Sequence, residues 1–111
     1  MPALDKTREA IEQALTCLAQ SPIAVGDVEL QTAFDRDRGH FLLTSVGWGK
    51  QKRIYGVIAH VDLIGDKAWI QHDGTQEGLA QLLLDAGVSA DNIVLGFRIP
   101  EVRKHTGYAV A

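Results

Sequence analysis

The chain has 111 residues, 46% of them hydrophobic and 23% charged, with a formal net charge of −3 and a pI near 5.7. That is long enough for one domain to bury a core without disulfides or a structural metal, and no apolar run approaches the ~18 residues needed to span a bilayer. The acidic balance disfavours direct DNA binding by the lone chain, because non-specific affinity for phosphates comes from basic faces that release counterions.

From about Asp5 to Ala19, Ile11, Ala14, Leu15 and Leu18 fall at helical spacing among Lys6, Arg8, Glu12 and Gln13, which predicts an amphipathic helix ended by Ser21-Pro22. Cys17 lies on or beside the buried stripe and reads as a small core hydrophobe, with no basic neighbour to favour a thiolate. A single cysteine forms no internal disulfide, and MPALDKTREA lacks the layout of a signal peptide; both point to a reducing, cytoplasmic setting. Asp27 to Phe34 alternates, with Val28, Leu30, Thr32 and Phe34 on one face, as a half-buried edge strand does. DRDRG at Asp35–Gly39 is a hairpin loop. His40 stands where a calcium loop needs glycine, and Arg36 and Arg38 would oppose a cation.

His40–Trp48 and Arg53–Ile64 form the next two strands around a Gly49–Lys52 turn. Both are apolar on each face, Phe41 and Leu43 against Leu42 and Val46, then Ile54 and Ile58 against Val57 and Val61, so they are expected to be central and covered on both sides. Gly47-Trp48-Gly49-Lys50 lacks the Ser or Thr of a phosphate loop. Gly65-Asp66 is a two-residue hairpin turn that sets a register. Ile64 faces Lys67, so Leu63 pairs with Ala68, Val61 with Ile70, and Ala59 with His72 at the rim of the core face. The reverse face pairs Asp62 with Trp69 and His60 with Gln71. A tryptophan beside a histidine and an aspartate calls for a cover, from a second layer or another subunit.

Ala68 to Val88 reads as strand, turn and helix. Asp73 and Gln76 are spaced as a capping box, with Thr75 as the alternative N-cap. Leu79, Leu82, Leu83 and Ala86 make the apolar stripe, and Gly87 supplies a left-handed stop. Ile93 to Phe97 is a short buried extended segment, Pro100 opens a last helix over Glu101–Thr106, and Tyr108–Ala111 is a docked tail. LAQLLLDAGVSADNI imitates a helix-turn-helix, but Ile93, Val94, Leu95 and Phe97 stand where base-reading polar residues belong.

His60, Asp62, His72 and Asp73 form the one cluster that suggests catalysis or a metal. The register sends His72 to the other face, and no third convergent ligand is evident. No catalytic, cofactor-binding or metal residues are therefore assigned. The candidate interaction surface is Trp48, His60, Asp62, Trp69 and Gln71.

Several segments together carry a family resemblance: Val46-Gly47-Trp48, the run Ala68 to Thr75, Glu77-Gly78-Leu79-Ala80, Gly87-Val88 and Asn92 to Phe97, then Pro100, Arg103, Thr106 and Ala109-Val110. In this order and spacing the chain resembles the XisI family of cyanobacteria, named as controlling factors for excision of the fdxN element. Gln76 departs from the glutamate more frequent there, which weakens a carboxylate role at that position. The resemblance implies an accessory, non-enzymatic role in DNA rearrangement, with a nuclease-like XisH companion, and it transfers no active-site residues. Two alternatives stay open: an inhibitor or antitoxin-like partner of such a nuclease, or a small-molecule-binding enzyme domain around His60, Asp62, Trp69 and Asp73. The expected fold is α+β, a single domain with an antiparallel meander of about four strands, the N-terminal helix and a C-terminal helical region packed on it. The spare apolar face suggests a homodimer or contact with the companion.

Overall fold

Helical spacing at the start of the chain, and alternation, apolar runs and turns through its middle, give the elements they predict. The computed structural model describes residues 3–20, 27–75 and 78–111. Helix α1 (Ala3–Ala19) buries Ala10, Ile11, Ala14 and Leu15, with Leu18 half-buried beside them. Cys17 is exposed rather than part of this stripe, since its position falls just past the apolar arc. The Ser21-Pro22 pair expected to end the helix lies outside the described residues.

Strands β1 (Asp27–Asp35), β2 (His40–Trp48), β3 (Arg53–Ile64) and β4 (Lys67–Asp73) form the antiparallel meander. A fifth strand, β5 (Ile93–Leu95), extends it by pairing in parallel with β4, and the sheet order is β1-β2-β3-β4-β5. Parallel neighbours need a crossover, and helix α2 (Leu79–Asp85) with the Ala90–Asn92 3-10 turn supplies it. The sheet is therefore five-stranded and mostly antiparallel, one strand more than the expected meander. Ile93–Leu95 is strand, so the helix-turn-helix reading has no recognition helix.

One face of the sheet carries the core. Phe41, Leu43, Ala59, Val61, Ala68, Ile70 and Ile93 meet Ile11 and Leu15 of α1 and Leu79 and Leu83 of α2. The valine, leucine, isoleucine and phenylalanine side chains among these contribute about 1.5–3 kcal/mol each when fully buried. Leu82 is half-buried, but Ala86, expected on the same stripe, is exposed because α2 has already ended. That end is made as expected at Gly87, with φ 98°: the Gly87 and Val88 N–H groups donate to the Leu84 and Leu83 carbonyls, and Val88 is buried behind them. The start of α2 differs from a capping box. Asp73 accepts from the Leu79 N–H at 2.8 Å, six residues ahead, and from the Thr75 N–H at 3.0 Å, while Thr75 Oγ1 accepts from the Gly78 N–H. Gln76, the other half of the expected box, lies outside the described residues.

Two β-bulges interrupt the alternation, and they set the positions of the polar residues. In β3 the register slips between Leu43↔Ala59 and Thr44↔Val57, so Ile58 is the extra residue. Its carbonyl accepts from the Gly74 N–H at 2.7 Å. Ile54 and Ile58 stay on the core side with Ala59 and Val61, whereas Tyr55 and Val57 turn to the same face as His60 and Asp62. In β4 the register slips between Val61↔Ile70 and His60↔His72, making Gln71 the extra residue. The hairpin register holds as expected from Ile64↔Lys67 to Val61↔Ile70. Beyond it, His72 pairs with His60 rather than Ala59, and so leaves the core rim for the reverse face.

β2 and β3 are central in the sheet, but the chain does not cover both of their faces: Trp48, Tyr55 and Val57 are 55%, 76% and 46% exposed. The C-terminal segment covers only the β4–β5 end. There α3 (Pro100–Arg103), shorter than expected, leads to a docked tail whose Ala109 bridges Val94 and donates its N–H to the Ile93 carbonyl at 2.9 Å. No described helix is long and apolar enough to cross a membrane.

Candidate functional site on the open face of the sheet

The β3 bulge brings His40 opposite Asp62. A plain hairpin counted from Trp48↔Arg53 would place His40 opposite Val61, with its ring away from the carboxylate. Gly39 sets the entry to β2: its φ is +76°, a Cβ there would lie 2.5 Å from the Leu63 carbonyl oxygen, and its own carbonyl accepts from the Leu63 N–H. The loop therefore closes directly onto β3 and delivers His40 beside its partner.

Asp62 is the centre of the cluster. Its Oδ1 accepts from His40 Nδ1 at 2.8 Å and from His60 Nε2 at 2.7 Å, and its Oδ2 accepts from Gln71 Nε2 at 3.2 Å. The two imidazoles meet edge to face, 6.4 Å between centroids. Partial burial pushes the Asp62 carboxyl upward, but the hydrogen bonds from His40, His60 and Gln71 and the charge of His60 outweigh it, so the carboxyl is held below its ordinary value. Among the described residues no hydroxyl or thiol bonds either ring. The geometry is a carboxylate orienting two histidines, with no nucleophile attached to them.

Trp69 stands across from Asp62 on β4. The cover it calls for comes from the chain itself, since the Arg103 guanidinium lies over its ring at 5.2 Å. Arg103 is fixed there by donating from Nε to the Arg98 carbonyl and from Nη1 to the Val110 carbonyl. His60, Asp62, Trp69 and Gln71 thus form one contiguous surface. Trp48 shares their face but lies eight residues along β2 from His40, roughly 26 Å at ~3.3 Å per residue. It stacks with Arg53 at 5.3 Å, beside Tyr55.

Of the other residues in the sequence-level cluster, His72 is exposed opposite His60, and Asp73 is taken up at the start of α2. His40 is the participant that sequence reasoning missed, and nothing in the local sequence of β2 and β3 signals it. The cluster lies on an open surface and lines neither of two clefts elsewhere. One, of about 380 Å³, separates α1 from α2 beside Cys17 and Leu82; the other, of about 240 Å³, lies at the DRDRG loop among Arg8, Arg36 and Arg38.

The model of the XisI protein family matches residues 1–110 of the chain. Two solved structures share the fold along nearly its whole length. A XisI-like protein from Anabaena variabilis is 36% identical, with a TM-score of 0.88 over 97% of this chain and 99% of that one. The fdxN element excision controlling factor XisI from Anabaena variabilis is 27% identical, with a TM-score of 0.78 over 99% of this chain and 100% of that one. Comparison with curated proteins finds no match.

Proposed function

The chain belongs to the XisI family, and on that premise we propose that it is an accessory factor in the control of DNA-element excision, acting by protein–protein contact rather than by catalysis. The observation that carries this reading is the uncovered half of the sheet. Its own chain seals one face with two helices but leaves Trp48, Tyr55 and Val57 in water on the other, along the same strands that carry an ordered polar cluster at their far end. Large apolar side chains grouped on one face and flanked by satisfied polar groups are the make-up of an interface. The partner in this reading is a XisH-type companion, with a second copy of the chain as the other occupant. A cytoplasmic setting belongs to the same proposal.

The test is co-expression with the companion. Stable co-purification that is lost in Trp48→Ala or Tyr55→Ala, with folding retained, supports the reading. These side chains are exposed and outside the core, so the substitutions separate binding from stability. Companion capture unchanged by both substitutions would refute it, as would DNA cleavage or rejoining by the purified chain alone.

A further inference from the structure

We propose that His40, His60 and Asp62 form a binding site for one divalent transition-metal ion of the zinc, cobalt or nickel kind. One ligand atom from each residue lies within 4.8 Å of the other two, on adjacent strands that hold them in fixed register. Two imidazole nitrogens and a carboxylate oxygen suit these metals, whereas calcium and magnesium demand six or more oxygen ligands. The distances fit a small adjustment. His40 Nδ1 and His60 Nε2 stand 2.8 and 2.7 Å from Asp62 Oδ1, and ligands ~2.0–2.1 Å from a tetrahedral ion lie roughly 3.3 Å apart. Opening each contact by about half an ångström admits the ion, and the His40 side chain, 51% exposed, is free to swing that far. On binding, each ring nitrogen that now faces the carboxylate gives up its proton, to solvent from an imidazolium or by tautomeric transfer to the other ring nitrogen of a neutral imidazole, and presents its lone pair to the metal.

The surroundings favour a ligand set over a chance cluster. Gln71 Nε2 donates to Asp62 Oδ2, the oxygen opposite the histidines, and fixes the carboxylate as an outer partner does in metal sites. Without an ion the three groups satisfy one another, so the site is preorganised at no cost in buried unpaired polarity. Three protein ligands on an open face leave at least one coordination position directed outward, available to water or to a side chain of a bound protein. The site stands whether or not that face carries a partner.

The experiment uses the full chain without a histidine tag, freed of metal by a chelator and dialysed, then titrated with Zn²⁺ calorimetrically and with Co²⁺ by visible absorption. One ion per chain is expected, with a cobalt spectrum of imidazole and carboxylate ligation. His60→Ala and Asp62→Ala should weaken binding at least tenfold, and Gln71→Ala by about tenfold. His105→Ala, outside the cluster, should leave binding unchanged. Circular dichroism establishes folding of each variant. If Asp62→Ala fails to fold, His40→Ala, at an exposed side chain, decides the matter. Absence of saturable 1:1 binding, or equal binding by the wild type and His60→Ala or His40→Ala, overturns the site.

Discussion

The two faces of this sheet are built from the same strands and solve different problems. On the core face Phe41, Leu43, Val61 and Ile70 are sealed beneath α1 and α2. On the open face Asp62 collects three hydrogen bonds, while Trp48 and Tyr55 face water. Stability resides in the first face. The second holds an ordered polar cluster and exposed apolar side chains, which suits the recognition role proposed above. The comparison also shows how a sheet avoids conflict between the two roles: the bulges at Ile58 and Gln71 shift side chains from one face to the other partway along a strand.

The sharpest way to break this contrast is to truncate one large residue on each face. Phe41→Ala should cost about 3–5 kcal/mol in urea denaturation, while Tyr55→Ala should stay within ~0.5 kcal/mol. Equal losses would mean that the open face is part of the core. Gly39→Ala comes next, at roughly 1–3 kcal/mol for a left-handed non-glycine residue, with further displacement where its Cβ meets the Leu63 carbonyl. Chemical-shift mapping should show the disturbance reaching His40 and Asp62. Asp73→Ala removes the acceptor of the Leu79 N–H and should cost about 1–2 kcal/mol, read as faster amide exchange confined to the first turn of α2.

The smallest effect concerns Asp62 and depends on pH. Its carboxyl titrates below the ordinary aspartate value in the folded protein. Between the folded and the unfolded values the unfolded chain binds more protons, so stability rises with pH across that window. The contribution is fully present above about pH 4, the ordinary aspartate range, and is lost as the pH falls through the folded value. Denaturation midpoints of metal-free protein should show this slope, and Asp62→Asn should flatten it. An unchanged slope would place the acid sensitivity elsewhere.

Much of this was legible. Period-2 alternation located β1, apolar runs between turns located β2 and β3, and Gly65-Asp66 fixed the β3–β4 register as far as Val61↔Ile70. Trp69, Gln71, His60 and Asp62 were correctly grouped on the reverse face. Cys17 was misplaced because it sits just past the apolar arc of α1, and Ala86 because α2 ends one residue before it. The crossover to β5 escaped because a three-residue strand carries too little pattern to state its direction.

The sequence by itself determined the two main helices, the four strands of the meander, the core face of the β3–β4 hairpin and the family, since these follow from local periodicity, turn residues and ordered motifs. Only the tertiary structure decided which polar side chains meet. His40 reaches Asp62, and His72 faces His60, because of two inserted residues. One of them, Ile58, is held by a hydrogen bond from Gly74, sixteen positions away and beyond the end of β4. A bulge sustained by so distant a donor leaves no mark on the alternation of its own strand.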